Sequence, residues 1–131
     1  MGLRNTTDLE HLTPDIVVIS GSFAPNGSSA VSATSRLGVG WSVVRTNTGV
    51  FTVTFTDKWA RLVYASAHLR LATAADQHAM LGAYVAASKT LVINIWDISG
   101  AAVADIAANA DNVINFECHF QRSTLLPARG T

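Results

Sequence analysis

The side chains best suited to chemistry are four histidines, a single cysteine and three aspartates spread over one loop-like stretch. His11, His68, His78 and His119 include no pair with the close spacing of a structural zinc site, and lone Cys118 cannot complete one. His68 and His119 both fall on the outward side of expected strands, so neighbouring strands could bring them together. A metal ligand also needs convergent partners and a supporting shell, and two surface histidines are the simpler reading. Asp97, Asp105 and Asp111 bracket residues 97–111, where carboxylates and loop carbonyls could gather around calcium. Their spacing departs from D-x-[DN]-x-[DN]-G, and turn-capping aspartates account for them more simply. Cys118 has no partner for an internal disulfide, and on the apolar side of a strand it packs as a small hydrophobe.

Nucleophilic and phosphate-binding patterns fare no better. No G-x-S-x-G elbow occurs, and Gly21-Ser22 precedes Phe23 in a strand setting. A Ser-His-Asp triad assembled from distant positions leaves no local signature. Gly38-Val39-Gly40 runs into Trp41 without a third glycine or a following helix, which reads as a turn feeding a strand. Trp41, Trp59 and Trp96 offer faces on which sugars or bases could stack. Trp59 at a turn and Trp96 at a strand end are expected at exposed positions, although packing is the commoner use of tryptophan. No catalytic, cofactor-binding or metal residue is nominated, and the chain is expected to bind rather than to catalyse.

Composition supports that direction. Nine basic and nine acidic residues cancel, and the basic ones are scattered singly, without the clustered patch that neutralises phosphates. No nucleic-acid partner is expected. Charged residues are 14% of the chain, against about 25% in an ordinary globular protein, which hints that part of the surface is normally covered. No run approaches the roughly 20 apolar residues of a bilayer span, and residues 1–15 lack the apolar core of a secretion signal. The chain therefore reads as soluble, with no membrane partner.

The elements that must position these residues are strands. IVVISGSF, from Ile16, is β-branched and ends at the turn-forming Pro25-Asn26-Gly27. Residues 26–38 read as a long loop or weak edge strand. WSVVRT and VFTVTFT flank Asn47-Thr48-Gly49, a hairpin signal. Phe51, Val53 and Phe55 alternate with Thr52, Thr54 and Thr56, the period of a half-buried strand. After a turn at 57–60, RLVYASAHLRL sets Val63, Ala65, Ala67, Leu69 and Leu71 opposite Leu62, Tyr64, Ser66, His68 and Arg70. Residues 72–78 read as a loop, AMLGAYVA follows with Gly82 marking a bulge, and TLVINIWD completes a second hairpin. Residues 97–111 read as a structured loop with one helical turn, because alanines favour helix. NVINFECHFQR turns Ile114, Phe116, Cys118 and Phe120 inward. About seven strands without helical crossovers predict an all-β, jelly-roll-like antiparallel sandwich. The expected organisation is an N-terminal arm (1–15), a sandwich (16–125) and a tail (126–131).

The stretches GWSVVRTNTGVFTVTFTDKWARLVYASA and GAYVAASKTLVINIWDISGAAVADIAANADNVINFECHF resemble small structural proteins of tailed-phage virions. A G-x-G-x-S-V-x-R segment leads into a G-x-(F/Y)-T-V-T hairpin. A K-T-L-x-I strand then leads to a D-x-x-G-x-A-x-D loop and a final N-x-(V/I)-x-F strand. The resemblance covers most of residues 16–125. It implies a capsid decoration (cement) protein that binds the major capsid protein on the outer surface of the head and stabilises the shell. It implies residence in the host cytoplasm during assembly and in the virion afterwards, and it carries no catalytic residues. A homo-oligomer, dimer or trimer, is expected of such a module. The arm 1–15, the loop 26–38 and the segment 123–131 are the expected contacts. A tail or fibre receptor-binding module is the alternative, and a small cupin-type enzyme is a weaker one.

Overall fold

The computed structural model describes residues 16–122. The expected arm 1–15, the expected tail 126–131 and residues 123–125 at the end of the expected sandwich lie outside them. The order is β1 (Ile16–Phe23), a 3-10 turn (Ala33–Ser35), β2 (Trp41–Asn47), β3 (Val50–Phe55), β4 (Arg61–Arg70), β5 (Gln77–Val85), β6 (Thr90–Asp97), β7 (Ala102–Val103) and β8 (Val113–Gln121). They form two antiparallel sheets, one ordered β1-β8-β4 and the other β2-β3-β6-β5, with short β7 added to β6. The expected all-β sandwich is what the chain forms.

The core lies where the period-two strands face each other. Phe51, Val53 and Phe55 of β3 and Leu91, Ile93 and Ile95 of β6 are all buried, as are Ile114, Phe116, Cys118 and Phe120 of β8. One set comes from each sheet, so burial of both apolar faces at once drives the two layers together. Aromatic edges tie the layers: Phe55 meets Phe120 at 4.8 Å and Trp41 meets Phe116 at 4.8 Å, both edge-on. Trp41 crosses under β1 at Gly21, where a Cβ would overlap the indole. A residue with no side chain is needed at that point.

Two segments depart from the sequence expectation. In β4 a bulge between Leu62 and Tyr64 resets the alternation. Leu62 therefore pairs with Phe120 and packs on the core, whereas Val63 is turned out to solvent. A bulge of this kind exchanges faces without any change in residue type. Residues 97–111 contain no helical turn; a turn at 98–101, β7 and residues 104–109 without regular structure replace it. Ile106 decides the matter. It is buried at the end of the sandwich, and an alanine-rich helix in that position could not deliver it there while also pairing with β6. The bulge expected at Gly82 is present, between Leu81 and Tyr84.

Candidate interaction surfaces

The loop after β6 closes one end of the sandwich and uses the chemistry-bearing aspartates to do so. Asp105 receives Nε of Arg45 at 2.9 Å and Nη2 at 2.7 Å, and its Oδ1 also accepts the Gly49 amide at 2.9 Å. These hydrogen bonds, first of all the one from Arg45, hold the Asp105 carboxyl below the usual carboxylate range against the opposing effect of burial. Gly49 has φ +63°, and a Cβ there would press on the Ala104 backbone; glycine fits both demands. Asp97 accepts from Ser99 Oγ at 2.9 Å and from the Gly100 amide, which together hold it low. Asp111 is exposed. Asp97 thus caps a turn, Asp105 ties the loop to Arg45 and Gly49, and the three aspartates do not converge. Among the described residues no group of three His, Cys, Asp or Glu side chains could hold a metal ion.

The outer face of the β1-β8-β4 sheet carries two of the histidines. His119 lies across from Val18 and Tyr64, and His68 lies across from Asn115. His119 and Asn115 are four residues apart on β8, so the two imidazoles stand roughly 13 Å apart along the strand. They do not meet. His119 Nε2 instead contacts Glu117 Oε2 at 2.7 Å, and the Tyr64 ring stands edge-on to the imidazole at 5.1 Å. Ser20 and Ser66 flank Glu117, one on each side. The hydroxyls are set against the acid and not the base, and no serine among the described residues hydrogen-bonds a histidine. A general base must lie within hydrogen-bond reach of its nucleophile; here the imidazole is engaged by Glu117. Cys118, beneath it, is fully buried, and burial pushes its thiol up to about 12. It is a packing residue.

Trp59, expected to be exposed, is partly buried and stacked on Phe120 at 5.9 Å with 21° between ring planes. The neighbouring Tyr84 phenol donates to the Trp59 carbonyl at 3.2 Å. Trp41 is core. Only Trp96 remains on an open face, between His78 of β5 and Val103 of β7.

Two surfaces stand out that no single motif announces. The first is a strap, residues 36–40, anchored to β1 by reciprocal backbone hydrogen bonds between Ser22 and Leu37 at 2.8 and 2.9 Å. It leaves Leu37 69% and Val39 86% exposed. The sequence contained the Gly-Val-Gly punctuation but not the pairing that turns it outward. The second is the outer face of β2-β3-β6-β5. The register aligns Val44 with Thr52 and Val92, Ser42 with Thr54 and Thr90, and Val50 with Asn94 and Met80. No Lys, Arg, Asp or Glu occupies an outward position on these four strands; Arg45 faces inward to Asp105.

Concave features are shallow. A cleft of about 320 Å³ lies between the β4–β5 connection and the loop after β7, lined by Leu71, Gln77, Asp105, Ile106 and Asn112. Two of its polar groups are engaged: Asp105 by Arg45, and Asn112 by the Ala72 amide and the Ala107 carbonyl. Compared with known proteins, the chain matches no family model, no curated protein and no solved structure.

Proposed function

We propose that this chain is a non-catalytic decoration protein that binds the outer surface of a tailed-phage capsid shell and stabilises it through many copies. The observation that carries this reading is the strap. Leu37 and Val39 are the most exposed large aliphatic side chains among the described residues, and they are held out by a segment hydrogen-bonded to β1. Rigid apolar projections lose little freedom when they dock. A lattice of identical sites multiplies a modest contact into tight retention. The strap overlaps and extends the loop 26–38 expected to make such contacts, and the virion setting comes from the sequence resemblance.

The test is direct. Empty heads assembled from the major capsid protein of the genome that encodes this chain are mixed with purified protein, sedimented and quantified. Saturable binding at a fixed copy number per capsomer is expected, together with a higher melting temperature of the shell. Leu37→Asp/Val39→Asp should reduce occupancy at least tenfold with an unchanged far-ultraviolet circular dichroism spectrum. Heads that bind none of the protein overturn the reading. Partly exposed Trp96 on an open sheet face favours a tail or fibre module instead, and binding to isolated tails or to a glycan array would establish it.

A further inference from the structure

The outward face of β2-β3-β6-β5 is uncharged and also graded in bulk. Three successive cross-strand rows are each larger at one end than at the other, and a fourth row, His78–Trp96–Val103, continues past the end of β3. In the central row, Val44 on β2 is 59% exposed. The row continues through Thr52 and Val92 to the bulge of Gly82 and Ala83, both exposed, where nothing larger than a methyl group stands opposite Val92. In the next row Ser42 is small, whereas Val85 at the β5 end is 49% exposed. In the row beyond, Met80 at the β5 end is 45% exposed and Thr46 and Asn47 lie at the β2 end.

We propose that this face is the contact between two copies of the chain, related by a two-fold axis that runs along the strands between β3 and β6. That operation lays β2 of one copy over β5 of the other at the same height. Val44 then enters the hollow above the partner copy's glycine bulge, and Val85 sits over serine in the facing row. Met80 covers the threonine end of the third row. Each contact occurs twice, as an isologous interface requires. The pairing of knob with hollow is a property of the face with itself, so a second copy is the occupant it fits.

Charge points the same way. A phosphate backbone or an anionic headgroup would find no countercharge on these strands. A second copy brings an identical uncharged surface, and no ion has to leave water unpaired. Area sets the class of contact. Four strands at about 4.8 Å spacing, each contributing about 20 Å of length, give a footprint of about 400 Å² per copy. Side-chain relief raises the accessible area above that footprint, to the low end of specific interfaces at roughly 600 Å² per partner. Area does not fix affinity, and a contact this small belongs with weak, transient associations.

Sedimentation equilibrium from 1 μM to 1 mM tests this in the absence of any shell, so its outcome is independent of capsid binding. The mass should rise from 13.8 kDa toward twice that value over this range. Val44→Lys should raise the dissociation constant at least tenfold with an unchanged urea midpoint. As a second measurement, Ser42→Cys/Val85→Cys should give a covalent dimer on mild oxidation. Within one chain the two positions are three strand spacings, about 14 Å, apart, too far for an internal disulfide. A monomer at 1 mM overturns the proposal, as does a trimer, a dimer indifferent to Val44→Lys, or a double-cysteine variant that stays monomeric. If Val44→Lys instead abolishes shell binding by a protein that is monomeric throughout, the face belongs to the shell and the dimer is refuted.

Discussion

Gly21→Ala probes the tightest packing in the sandwich. A Cβ at this position would overlap the six-membered ring and the nitrogen of the Trp41 indole. Trp41 has little room to retreat, being 8% exposed and set edge-on against Phe116 at 4.8 Å and tilted against Phe23 at 6.2 Å. Overpacking of this kind costs about 1–3 kcal/mol, and the upper end applies because the obstacle is a rigid ring. With a urea m-value of about 2 kcal/mol/M, a loss of about 3 kcal/mol lowers the unfolding midpoint by roughly 1.5 M. Trp41→Phe removes the atoms that the new methyl would strike. It also removes an indole N–H that is buried without a hydrogen-bond partner among the described residues. Its own cost is therefore small, about 1–2 kcal/mol, because lost contact is partly offset by the orphaned donor removed with it. The double variant Gly21→Ala/Trp41→Phe should unfold about 2 kcal/mol later than the sum of the single effects requires. Urea titration followed by circular dichroism at 218 nm on all four proteins gives the cycle. Additivity within about 0.5 kcal/mol, or a Gly21→Ala midpoint equal to the parent's, would falsify the packing described for Trp41.

The remaining expectations concern the loop, the cysteine and the end of the sandwich. The Asp105 carboxyl is held below its unfolded value, so its contribution is complete above pH about 4 and is lost as pH falls through the folded-state value. Melting temperature should fall on acidification below that point. It should fall less steeply in Asp105→Asn, which is already weakened at neutral pH; parallel pH profiles for the two proteins would contradict the assignment. Cys118 should resist maleimide at pH 8 in the native protein and label completely in 6 M guanidinium, as followed by intact mass. Rapid native labelling would mean the thiol is not buried. Asn112→Ala removes one acceptor from the Ala72 amide and one donor from the Ala107 carbonyl. Both residues are exposed enough for water to replace the lost bonds, so the cost should be near 1 kcal/mol, the low end for a lost hydrogen bond, measured by urea unfolding.

What could be read from the sequence was whatever a strand states about itself. Phe51, Val53 and Phe55 alternate with threonines, and Ile114 to Phe120 alternate with polar residues; both patterns fix a face without reference to any neighbour. The Asn47-Thr48-Gly49 turn and the Gly82 bulge were likewise local. What escaped depended on a partner. The β4 bulge follows from how Leu62 and Ala65 meet β8, and the same letters without a bulge would place Val63 inside. Asp105 looked like a turn residue because its partner Arg45 lies sixty positions away. The alanines of 97–111 favoured helix, yet burial of Ile106 and pairing with β6 outweighed a propensity worth only tenths of a kcal/mol per residue. The uncharged outer face was present in fragments, Thr52 with Thr54 and Val92 with Asn94 and Trp96. Only the non-sequential pairing of β3 with β6 joins them into one surface with bulk at alternate ends.

The central place of β8 between β1 and β4 governs the order in which the protein can fold as it leaves the ribosome. The hairpins β2–β3 and β5–β6 are local and can close as soon as they emerge, whereas β3 pairs with β6 across the intervening β4 and β5, Val50 meeting Asn94 and Thr54 meeting Thr90. β1 and β4 have no strand to pair with until residues 113–121 are synthesised. A nascent chain that has not yet made β8 therefore holds a four-stranded sheet with Phe51, Phe55, Leu91 and Ile93 uncovered. Transiently exposed apolar surface of this kind is where misassociation begins. Truncation within β8 should thus not trim the fold but remove a whole layer, leaving an aggregating half-sandwich in place of a shortened domain.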